Sequence, residues 1–101
     1  MTAIDDFLKS LKHQKPEASL PPLLQALWYD ARGDWDRAHQ IVQKESGADA
    51  AWVHAYLHRK EGDLTNAGYW YRRTKREVAR DTLEDEWRSI VNELIAKRSA
   101  D

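Results

Sequence analysis

The strongest constraint on this fold is a punctuation pattern. Apolar residues recur at intervals of three and four, and the runs are broken by glycine followed at once by aspartate, at Gly33-Asp34 and Gly62-Asp63. That spacing is the period of an amphipathic helix. A glycine just past a helix accepts the left-handed conformation that ends it, and an aspartate caps the next helix through its carboxylate. Helix, tight turn, helix is therefore written twice. Nothing alternates with period two over the length of a strand, so the chain reads as all-α, with about six helices and no sheet.

The apolar stripes place the helices. Ile4, Phe7, Leu8 and Leu11 mark the first, over about 3–13, with Thr2 as the expected N-cap. Pro16 disfavours helix at Lys15 and opens a turn. Pro21 and Pro22 suit the first turn of the second helix, whose buried face is Leu20, Leu23, Leu24, Leu27, Trp28 and Ala31. Trp35, Ala38, Ile41 and Val42 form the face of the third. After the break KESGAD, with Asp49 as the expected cap, the fourth runs from about Ala50 to Glu61. The fifth is expected to be long, from Leu64 through Ala67 and Tyr71 to Val78. Thr82 and Asp85 resemble a capping box before the last helix, about 83–98, with the stripe Leu83, Trp87, Ile90, Val91, Leu94 and Ile95.

Composition narrows the function classes. A chain of 101 residues is one domain's worth, and 42% apolar with 33% charged residues suits helices with solvated outer faces. The net charge of −1 argues against a protein built as a whole for nucleic acid or anionic membrane. The absence of cysteine excludes disulfides, thiol catalysis and Cys-type zinc sites. MTAIDDFLKSL has early acids and no long apolar run, so neither a signal peptide nor a membrane anchor is expected, and a cytoplasmic location is. Five tryptophans are many for this length; they serve as core filler or as binding hot spots.

Shifted by 29 residues, the chain partly matches itself: Ala26, Gly33, Asp34 and Ala38 fall on Ala55, Gly62, Asp63 and Ala67. Each of the four has a packing or turn role. Ala55-x2-His58-x3-Gly62-Asp63-x3-Ala67-x3-Tyr71 resembles the tetratricopeptide repeat (TPR) and its Sel1-type relative, and Ala26-x2-Tyr29-x3-Gly33-Asp34-x3-Ala38-x3-Val42 is a weaker copy. LHRKEGDLTNAGYWYRR also resembles a signature of small microbial proteins, a likeness that brings no activity with it. The TPR resemblance implies two antiparallel helix hairpins over about 20–80, stacked side by side and flanked by capping helices. It places Tyr29 and His58 between the helices of their hairpins. The interval of 29 departs from the usual 34 of that repeat, the usual proline after the second helix is absent, and Thr74 stands where a small alanine is typical.

Two constellations carry candidate chemistry. His54, His58 and Glu61 lie at i, i+4 and i+7, one face of the fourth helix; His-x3-His on a helix can bring two imidazoles to one metal, with Glu61 or His39 as a third ligand. The glutamate that a zincin carries after its first histidine is missing from HAYLH. The second constellation is YWYRRTKREVAR, where Arg72, Arg76 and Arg80 are expected to share one helix face. Aromatics beside arginines hold single-stranded nucleic acid or serve as protein hot spots, and the neutral net charge favours the latter. The RGD at 32–34 reads as helix punctuation. The serines at 10, 19, 46, 89 and 99 lie at termini, turns or a polar face, and no Gly-rich phosphate loop is present.

The resulting expectation is a non-enzymatic module that binds a protein or peptide, with Trp52, His54, Arg59, Tyr69, Trp70, Arg72 and Arg73 along a groove. Self-association through the same aromatic patch is a variant of it, and no cofactor is called for. The alternative is a metal or small-molecule site, with enzymatic use of it open, around His39, His54, His58 and Glu61.

Overall fold

The computed structural model describes residues 3 to 100, with side chains through residue 98. Six helices follow one another: α1 (Ala3–Ser10), α2 (Pro22–Ala31), α3 (Trp35–Gln43), α4 (Ala48–Glu61), α5 (Leu64–Arg73) and α6 (Leu83–Ala100). Among the described residues there is no strand, and no helix is long and apolar enough to cross a membrane. Thr2, the expected cap of α1, lies outside the described residues.

The two Gly-Asp pairs behave alike. Gly33 and Gly62 sit at φ 85° and 89°, a region costly for any residue with a Cβ. Asp34 N–H donates to the Tyr29 carbonyl and Gly33 N–H to Asp30; Asp63 N–H donates to His58 and Gly62 N–H to Arg59. Both ends are Schellman motifs, which satisfy carbonyls that the last turn leaves free. The Asp34 and Asp63 carboxylates then accept the N–H of Arg37 and Asn66, starting α3 and α5. α2 packs on α3 and α4 on α5 as hairpins, and α3 meets α4. Ala26, Ala38, Ala55 and Ala67, the repeated small residues, are all completely buried at these contacts.

α5 is shorter than expected. It ends at Arg73, and Val78 lies beyond it, exposed. The reason is a third Schellman end, with Arg76 N–H on the Tyr71 carbonyl and Lys75 N–H on Arg72. Lys75 occupies the left-handed position at φ 58°, where the other two turns use glycine. Arg72, Arg76 and Arg80 therefore do not share a helix face. α1 is also short: its chain tightens after Ser10 into i→i−3 turns through His13. Arg32 Nη1 closes that end by donating to the carbonyls of Leu11 and His13. α4 begins earlier than expected, after Gly47, and Asp49 is not its cap. Asp49 instead pairs with Lys97 of α6 at 2.8 and 2.9 Å.

α4 is the central helix. Every residue from Ala50 to His58 is buried, because α2, α3, α5 and α6 surround it. α6 lies across α2 and α4 and inserts Trp87, Ile90, Val91 and Leu94 into the core. Trp87 Nε1 donates to the Leu27 carbonyl at 3.1 Å, and its ring meets Phe7 of α1. One apolar core thus draws on all six helices.

The core also holds two carboxylates. Asp30, 1% exposed, accepts from the Tyr56 hydroxyl and from Lys60 Nζ, both at 2.9 Å. Glu86, 2% exposed, accepts from Tyr71 at 2.6 Å, Trp52 Nε1 at 3.2 Å and Arg59 Nη1 at 2.9 Å. Burial together with these carboxylates pushes both tyrosine hydroxyls well above their ordinary range, so they act as fixed donors. Among the described residues no fully buried side-chain nitrogen or oxygen lacks a partner.

Candidate metal centre

The seam between the hairpins is lined by imidazoles. Trp35 and His39 are one turn apart on α3, and their rings stack at 4.8 Å. His54 and His58, one turn apart on α4, stack at 4.9 Å. Packing α3 against α4 brings His39 edge-on to both, with ring centroids 4.9 and 5.1 Å away. Trp70 of α5 lies flat on His54 at 4.0 Å, and Trp35 is fixed by Nε1 donating to the Leu57 carbonyl at 2.7 Å. Three histidines are thus clamped between two indoles on three helices. His58, expected inside its own hairpin, meets Trp35 and His39 of the neighbouring one.

The nitrogens converge. His39 Nε2 and His54 Nε2 share a hydrogen bond at 3.1 Å, and one ring nitrogen from each of His39, His54 and His58 lies within 4.8 Å of the others. Two imidazoles on one tetrahedral zinc, at bond lengths of about 2.0–2.1 Å, hold their nitrogens about 3.3 Å apart. The His39–His54 pair already has that spacing. His58 Nδ1 is 2.6 Å from Glu61 Oε1. With Nδ1 donating its proton to that carboxylate, Nε2 of His58 carries the lone pair, as where a carboxylate orients a metal-binding histidine.

Electrostatics favours the metal-ready form. Burial, then the neighbouring His58 and His39, push the His54 imidazole down from 6.5 to about 4. Burial and His58 also lower His39, against a smaller upward pull from Glu61 and Asp36. A neutral imidazole is a ligand; an imidazolium is not. His39 and His54 are thus held in the neutral form that a metal ligand needs. A second cluster, His58, Glu61 and Asp63, adjoins it on the exposed side.

The residues expected along one groove separate. His54, Trp70 and Arg73 border a common cavity beside the α3–α4 turn. The exposed Tyr69 joins its rim through Arg73, whose Nη1 donates to the Tyr69 hydroxyl at 3.2 Å. Trp52 and Arg59 turn the other way, onto Glu86 of α6, because positions 52 and 54 of a helix lie far apart around its axis. Arg76 covers the Trp52 ring at 3.6 Å. Arg72 is exposed. His39, His54 and His58 meet in one place, and Glu61 reaches it only through His58. Trp35 was read from sequence as a core residue only, although its i, i+4 spacing from His39 is the signal for the stack.

No family model, curated protein or solved structure matches the chain.

Proposed function

We propose that this protein binds a divalent transition metal, zinc foremost, through His39, His54 and His58, with Glu61 orienting His58. The observation that carries the reading is the 3.1 Å approach of two imidazole nitrogens from different helices, inside a cluster that holds a third histidine and lacks cysteine. Imidazole ligands suit zinc, copper and nickel rather than calcium or magnesium. Three protein ligands leave a fourth position for water or a carboxylate. The test is cobalt substitution. Wild type is expected to develop the visible absorption of a low-symmetry cobalt–imidazole centre with one equivalent of metal, and His39→Ala to lose it. A spectrum no different from free cobalt would reject the reading.

The two hairpins, turning on the same Schellman end at a 29-residue interval, support a kinship in form with TPR-like repeats. A second reading, as a protein- or peptide-binding module, draws on the Tyr69–Arg73 pair, since Tyr69 is 45% exposed and Arg73 lies over its ring. Exposed tyrosine and arginine are residues of interface hot spots. Binding of a purified partner that is lost in Tyr69→Ala, with thermal stability unchanged, would support it; equal binding by the variant would reject it.

A further inference from the structure

A cavity of about 310 Å³ lies against the histidine cluster, lined by Glu45, Ser46, the first turn of α4, His54, Trp70 and Arg73. Three observations mark it as more than a dent. Arg73 is held over Trp70, 5.4 Å from the ring centroid, and among the described residues it has no carboxylate partner. α4 opens on Gly47 with no side-chain cap, so its first amides are free toward this end, whereas α3 and α5 are capped by aspartates. His54 is 8% exposed, its Nε2 shares a hydrogen bond with His39, and among the described residues its Nδ1 has no hydrogen-bond partner. Among the described residues no unpartnered polar side-chain atom is fully buried, so Nδ1 is not sealed off, and His54 lines this cavity.

We propose that the cavity binds a small monocarboxylate through Arg73 and the first amides of α4, and that this ligand strengthens metal binding by accepting a hydrogen bond from Nδ1–H of His54. The inference rests on the metal reading above. A metal on Nε2 sends the imidazole proton to Nδ1, where an oxygen acceptor fixes the ring and raises its basicity. For His58 the chain supplies that acceptor itself, as Glu61. For His54 the described residues supply none, and Arg73, which has no carboxylate partner among them, lines the same cavity. Arginine and helix amides both select carboxylate oxygen. Glu45 on the same wall offsets the arginine charge, which favours one negative charge over a phosphate dianion.

The experiment measures zinc affinity by competition with a chromophoric chelator, with and without acetate, on wild type and Arg73→Gln. Acetate is expected to tighten zinc binding to wild type by about tenfold, the lower end of what such second partners contribute. Arg73→Gln is expected to bind zinc and to lose the acetate response, which separates the cavity from acetate bound directly to the metal. A wild-type affinity indifferent to acetate, or an equal response in the variant, overturns the proposal and leaves the metal reading standing. If zinc fails to bind wild type, the metal reading falls and takes the coupling with it. The carboxylate cavity is then judged alone, from the His54 and Trp70 ring resonances in zinc-free protein: saturable shifts on adding acetate, absent in Arg73→Gln, support it, and unmoved resonances overturn it.

Discussion

The depressed His54 makes the stability of the metal-free protein depend on pH in a defined window. In the unfolded chain this imidazole titrates near 6.5, and in the folded protein at about 4. Between those values the unfolded state holds the extra proton, so stability rises with pH across the window. The stabilisation is complete above about pH 6.5 and is lost progressively as pH falls toward 4. A gap of roughly two and a half pH units corresponds to on the order of 3 kcal/mol. The 8% exposure of His54 argues against solvent relieving much of it. His54→Gln keeps a polar planar group without the titration. Urea unfolding followed by tryptophan fluorescence, at several pH values, gives the wild-type minus variant stability. That difference is expected to shrink by on the order of 3 kcal/mol from about pH 7.5 to about pH 4. A difference constant to within about 1 kcal/mol would mean that His54 titrates as if in water, and the description of the cluster as a neutral imidazole site would be wrong.

Three further outcomes follow from the fold. Arg59→Met strands the Glu86 carboxylate with only Tyr71 and Trp52 as donors, and is expected to cost about 3 kcal/mol or more in urea unfolding; adding Glu86→Gln should recover a large part. A loss under about 1 kcal/mol would mean the pair behaves as a surface salt bridge. Gly62→Ala meets no atom within 4 Å, so its expected loss of about 1–2 kcal/mol is backbone strain at φ 89° alone, and an unchanged midpoint would contradict the assigned turn. Lys75→Gly relieves the same strain at φ 58° and is expected to raise the midpoint slightly, whereas a clear fall would argue against a left-handed Lys75.

How much of this was legible in the sequence depended on whether a role is tied to one residue type. Gly33, Gly62, Asp34 and Asp63 announced the two hairpins, because left-handed ends and carboxylate caps have strong residue preferences. The end of α5 was silent, since Lys75 takes a glycine's position and the apolar spacing runs on to Val78. Asp30 and Glu86 were passed over. The available signal was their register: Asp30 follows Leu23 and Leu27 on the apolar stripe of α2, and Glu86 falls between Leu83 and Ile90 on that of α6. His54 and His58 were visible as a pair from i, i+4 spacing, whereas the approach of His39 depends on how α3 packs against α4. The single groove failed on periodicity, as Trp52 and His54 face opposite neighbours on a helix buried all round.

The central claim is a metal site built from three histidines, and thermal unfolding with zinc against chelator tests it most directly, on wild type and on His39→Ala, whose parent residue is only half-buried. A ligand that binds only the folded state at a hundred times its dissociation constant adds about 2.7 kcal/mol. For a domain of this size that raises the midpoint by roughly 10 °C or more. A saturable shift of that order in wild type, reversed by chelator and largely lost in His39→Ala, is the expected result. A midpoint indifferent to zinc and chelator in both proteins would make the three imidazoles a packing seam and contradict the account.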